Sequence, residues 1–158
     1  MKKNKSLRDA YPNEEAARKF WEGNEEFSAF AKKHQEDTYK SLVGAEGHDN
    51  DFEKVLVPGI ATLVRYYNSD KEYAGVLMLF IDALIRSAKK LQNARQKRNE
   101  LWKIIFTLNL MNELEGIGKT ENFYDFLVTR VSYTLNMYLW HDFAKQKEAQ
   151  EESETEEQ

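Results

Sequence analysis

Cysteine is missing from this chain of 158 residues, proline occurs twice and glycine seven times. Without cysteine there is no disulfide scaffold, no thiolate metal site and no cysteine nucleophile, and the usage fits a reducing compartment. So few turn residues argue against a sandwich or barrel of many short strands, which is the first argument for an all-α fold. The longest strictly apolar run, 76–81, falls far short of the ~20 residues that a membrane span needs. The Lys-rich first ten residues lead into no apolar stretch, so they do not read as a secretory signal. The expected location is the cytoplasm. One more absence is local: no acid occurs anywhere in 86–99.

What is present describes a globular body. The hydrophobic fraction is 41%, and 9 Phe, 8 Tyr and 3 Trp supply much of it, more than a disordered chain would carry. The length suits one domain with its own core. Charge is segregated along the chain. The formal net charge is −4. Six of the negatives, Glu148, Glu151, Glu152, Glu154, Glu156 and Glu157, lie in the last eleven residues, so the rest sums to +2. The expected organisation is a flexible basic segment over 1–12, one helical domain over 13–147, and a disordered acidic tail over 148–158.

Apolar residues recur every three to four positions through most of the domain. Asn13 caps a first helix predicted over 14–42, with Trp21, Asn24 and Phe27 on one face and Gly23 as its weak point. Glycines and acids over 44–51 read as a loop. A second helix follows over 52–68, where Pro58 either kinks it or opens its regular part. Ser69 and Glu72 have capping-box spacing ahead of a third helix over 70–92. A fourth, over 94–115, is nearly collinear with the third and ends on Gly116 in the left-handed conformation, with Ile117 folding back. Thr120 caps a fifth helix that reaches about Ala149. The fold expected is a compact all-α bundle of about five helices.

The candidate chemistry is sparse. The run 116–120, Gly-Ile-Gly-Lys-Thr, ends like a phosphate loop. However, Glu113 stands where that pattern needs glycine, and a helix rather than a strand precedes it. It reads as a helix stop followed by a helix start. His48, Asp49, Asn50, Asp51 and Glu53 gather oxygen and nitrogen donors, but they lack the turn glycine and the spaced glutamate of a calcium loop. His34, His48 and His141 have no metal or catalytic spacing. Glu113 and Glu115 diverge on their helix. No metal, no cofactor and no enzymatic site are expected.

Two surfaces remain. Surplus aromatic residues on the last helix, Tyr124, Tyr133, Tyr138 and Trp140, widen its apolar arc beyond one stripe, so it must touch two things. The second is a protein partner, another copy, or simply another helix of the bundle. The leading expectation is therefore a non-enzymatic interaction protein, an adaptor or a small subunit of an assembly. The alternative rests on Arg86, Lys89, Lys90, Arg95, Lys97 and Arg98, a basic belt suited to nucleic-acid phosphates. Tyr66 and Tyr67 would add base stacking if they lay nearby. The plain reading of the belt is a solvated helix end whose cations also suit the dipole.

Overall fold

The computed structural model describes residues 14–43, 56–117 and 123–156. Its regular elements are all helical: α1 (Glu14–Gly23), α2 (Glu25–Val43), α3 (Val57–Ser69), α4 (Ala74–Lys89), α5 (Ala94–Glu115) and α6 (Phe123–Glu156), with a 3-10 turn at Lys71–Tyr73. The all-α bundle expected from the periodicity is what forms.

The described residues form six helices, and the first predicted one is two of them because it breaks at Asn24. That residue is an N-cap: its Oδ1 accepts the Phe27 N–H at 3.0 Å. Ser28 Oγ donates back to the Trp21 carbonyl at 2.7 Å. The groups orphaned by the break are thus satisfied locally, and Gly23 before it costs little to end a helix on.

Pro58 lies in the first turn of α3, where its missing N–H is no loss. The expected Ser69–Glu72 capping box does not form. Ser69 Oγ donates to the Arg65 carbonyl instead, at 2.7 Å. The capping role passes to Asp70, whose Oδ1 accepts the Glu72 N–H at 3.0 Å and opens the 3-10 turn. The polar loop over 44–51, the start of the second predicted helix over 52–55 and the Thr120 cap lie outside the described residues.

α5 has the bounds its sequence predicts. Asn93 Oδ1 accepts the N–H groups of Arg95 (2.8 Å) and Gln96 (3.3 Å). At the far end Gly116 takes φ 72°, ψ 39° and donates its N–H to the Asn112 carbonyl. Ile117 behind it is fully buried. The near-collinear arrangement with α4 is not what forms. The break at 90–93 folds α4 back beside α5, so that Leu84, Ser87 and Ala88 face Gln96, Asn99 and Ile104 across a shared cleft. A turn this short makes helical neighbours antiparallel.

α5 and α6 run antiparallel through the middle of the molecule. The Tyr124 hydroxyl donates to Asn109 Oδ1 near one end, and Arg98 pairs with Asp142 near the other. α5 touches α2, α3, α4 and α6, so its burial exceeds one stripe. Leu101, Trp102, Ile104, Ile105, Leu108 and Met111 are all in the core. α6 contributes Leu127, Val131, Leu135, Leu139 and Phe143, one residue every four. Truncating such a leucine to alanine costs ~2–5 kcal/mol. α6 continues past the end expected near Ala149. The stretch 148–158, expected as a disordered tail, is helix as far as Glu156, with Glu148, Glu151 and Glu152 exposed. Glu, Gln and Ala are strong helix formers, and they extend the helix beyond the packed bundle.

Candidate functional site

The α4–α5 turn gathers most of the basic belt. Arg86 and Lys89 sit in the last turn of α4, Lys90 is its C-cap, and Arg95 stands in the first turn of α5. All four are exposed, and among the described residues none is paired with a carboxylate. Arg86 and Lys89 favour the negative end of the α4 dipole, which accounts for part of their presence. Arg95 has no such reason, since it stands at the positive end of α5.

The structure takes the other two belt residues inward. Arg98 donates from Nη1 to Asp142 Oδ2 on α6, and its side chain is 16% exposed. Lys97 is half-buried with Nζ 5.6 Å from the centre of the Tyr138 ring, within cation–π range. The belt of six is therefore a corner of four. Tyr66 and Tyr67 do not extend it. Tyr67 is buried and stacked on Phe123, and Tyr66 pairs with Tyr73 at the start of α4. From Tyr73 to Arg86 is about 20 Å along the helix.

Arg98 belongs to a polar cluster that the sequence spacing did not reveal. Trp102 Nε1–H donates to His34 Nδ1 at 2.8 Å, and Thr38 Oγ1 lies 3.4 Å from the same nitrogen. Indole is only a donor, so Nδ1 is the acceptor and the imidazole is the neutral Nε2–H tautomer. Burial lowers the His34 pKa and the Arg98 cation lowers it further, while Asp142 and Asp37 oppose them. The Arg98 Nε is buried with no acceptor. The cluster ties α2, α5 and α6 together. Among the described residues no three His, Asp or Glu side chains could hold a metal ion. His141 is exposed. His48 and the acids around it, and the end of the 116–120 motif, lie outside the described residues.

The aromatic surplus of the last helix resolves mostly into packing. Trp140 meets Phe20 and Phe27 edge-on, at 4.8 and 5.2 Å between ring centres. Tyr124 spends its hydroxyl on Asn109, Tyr138 lies under Lys97, and Tyr133 is half-buried. Burial pushes the Tyr124 and Tyr138 phenols up. The second contact that the wide arc demanded is thus α1 and α2 of the same bundle.

Exposed apolar side chains lie elsewhere, with Leu110 and Leu114 on α5, Tyr39 on α2 and a further group on α4. Leu79 is 63% exposed and Val76 47% on the outer face of α4. Phe126 of α6, also exposed, flanks them: Arg130 lies 5.8 Å from its ring centre and donates from Nε to Asp82 Oδ1, one turn after Leu79. Nothing in 73–81 carries a charge. Among the described residues no helix is long and apolar enough to cross a membrane. Comparison with known proteins finds no family model, no curated protein and no solved structure that matches this chain.

Proposed function

We propose that this chain is a non-enzymatic helical interaction protein, a small subunit that docks through the outer face of α4 and the adjoining part of α6. One observation carries the reading: Val76, Leu79 and Phe126 stand exposed on a stretch of surface whose α4 part, 73–81, has no charged residue. Scattered apolar residues are normal on a surface, but an uncharged apolar stretch whose nearest charges, Arg130 and Asp82, are spent on each other at its edge has the composition of an interface core with a polar rim. The simplest occupant is a second copy, because a two-fold axis places the same apolar patch against itself. Homodimer interfaces are also the more apolar kind. Sedimentation equilibrium at several concentrations tests this. The native chain is expected to show a monomer–dimer equilibrium that Leu79→Glu shifts to monomer without loss of helicity. A native chain that stays monomeric at every concentration refutes the self-docking.

A second reading is nucleic-acid binding at the α4–α5 corner. It is supported by four exposed cations, Arg86, Lys89, Lys90 and Arg95, that lack a carboxylate partner among the described residues. Exposed Gln92 and Gln96 stand beside them. Lys and Arg neutralise phosphates, and amides of this kind reach sugars or base edges. A gel shift of labelled RNA or DNA at low salt tests it, and absence of a shift removes it.

A further inference from the structure

Beyond the turns that pack on the bundle, α6 continues as a Glu-rich helix. Phe143 still meets Phe27 and Phe30, and Lys147 pairs with Glu26 on α2. From there to Glu156 the helix carries Glu148, Glu151, Glu152, Glu154 and Glu156 and no base. Glu148 and Glu152 are exposed and have no cation partner among the described residues. They stand four apart, with Glu151 three after the first, a spacing at which like charges repel along a helix. The Arg98–Asp142 pair fixes where this extension leaves the bundle. From Asp142 to Glu148 the helix rises about 9 Å, and from Arg98 back to the start of α5 at Ala94 is about 6 Å. The acids therefore begin level with the α4–α5 corner and run about 13 Å past it. That corner holds Arg86, Lys89, Lys90 and Arg95, exposed and without a carboxylate partner among the described residues.

We propose that two copies of this chain associate end to end, with the acidic end of α6 in each lying against the α4–α5 corner of the other. Charge complementarity carries the inference. The corner lies in a stretch, 86–99, that has cations and no acid, and the helix end after Lys147 has acids and no base. Within one chain the two surfaces cannot meet over most of their length, because a continuous helix does not turn back on the corner it has passed. A second copy removes that restriction. Both surfaces lie at the same end of the bundle, so one two-fold axis across that end makes both contacts at once. Opposed charges of this kind fix orientation and speed encounter, and salt screens them. The pairing does not use the apolar face of α4, so either contact can fail without the other. It does use the cations of the nucleic-acid reading, and a strand bound at the corner excludes it.

The test is sedimentation equilibrium of full-length Leu79→Glu, in which docking through α4 is removed and only the end-to-end contact remains. At about 50 mM salt this chain is expected to form a dimer. At about 500 mM, where charges are screened beyond about 4 Å, its dissociation constant should rise about tenfold or more. Adding Lys90→Glu and Arg95→Glu should leave a monomer at either salt, and so should adding Glu148→Lys and Glu152→Lys instead. All four residues are exposed, and circular dichroism checks that helicity is kept. An equimolar mixture of these two variants should dimerise again at low salt, because the first keeps its acidic helix end and the second its basic corner. Misfolded variants cannot produce that rescue. The proposal is overturned if Leu79→Glu is monomeric at both salts, if its dimer is insensitive to salt, or if the mixed variants stay monomeric. A native chain that dimerises while Leu79→Glu stays monomeric overturns this contact and leaves the α4 contact standing.

Discussion

The division of the basic belt into four outward cations and two inward ones can be measured as a salt dependence. Six residues minus Lys97 and Arg98 leaves Arg86, Lys89, Lys90 and Arg95 to meet phosphates. Four contacts to a single strand give a slope of log K against log salt of about −2.8, so affinity falls roughly fiftyfold between 50 and 200 mM salt. Removing one of the four, for example by Lys89→Gln, should bring the slope to about −2.1. Arg98→Gln should leave it unchanged, because that guanidinium already faces Asp142 and is mostly out of water. Lys97→Gln should do little more, since its ammonium lies over the Tyr138 ring. Fluorescence anisotropy of a labelled single strand at several salt concentrations reads all of these slopes. The reasoning is refuted if Arg98→Gln flattens the slope as much as Lys89→Gln does, since the belt would then act as one undivided stripe.

Three further outcomes follow from the same geometry. Asp142→Ala strands a guanidinium that is 16% exposed. It should cost about 2–3 kcal/mol, less than a fully buried pair because Asp142 is itself 30% exposed. This lowers the melting temperature by about 5–10 °C, and the double replacement Arg98→Met, Asp142→Leu should recover most of it; a double variant that melts below the single one speaks against the pairing. The His34 pKa is lowered in the folded state, so the unfolded chain takes up the proton first. Its contribution to stability is complete above about pH 6.5 and is lost as pH falls through the lowered folded value. Urea denaturation at stepped pH should show this slope in the native chain and lose it in His34→Leu. Arg98 pairs with Asp142, which puts the acidic end of α6 at the same end of the bundle as the α4–α5 corner. Truncation after Lys147 should therefore tighten single-strand binding, and unchanged affinity would show that the glutamates do not compete.

The sequence alone determined the helices, because helix formation is a local matter. The apolar spacing of 101, 105, 108 and 111, the Asn93 cap and the Gly116 stop placed α5 to the residue, since each acts within one turn. Gly23 was legible as a weak point, yet the break itself needed the Asn24 and Ser28 side chains to satisfy the freed groups. What each outward residue faces was decided only by the tertiary structure. Arg98 and Lys89 look alike in the chain, but one meets an aspartate 44 residues away and the other meets water. His34 gains its partner 68 residues on, at Trp102. Periodicity encodes which face of a helix is oily, whereas the neighbour across that face depends on how helices distant in sequence stack, and no single-chain pattern records that.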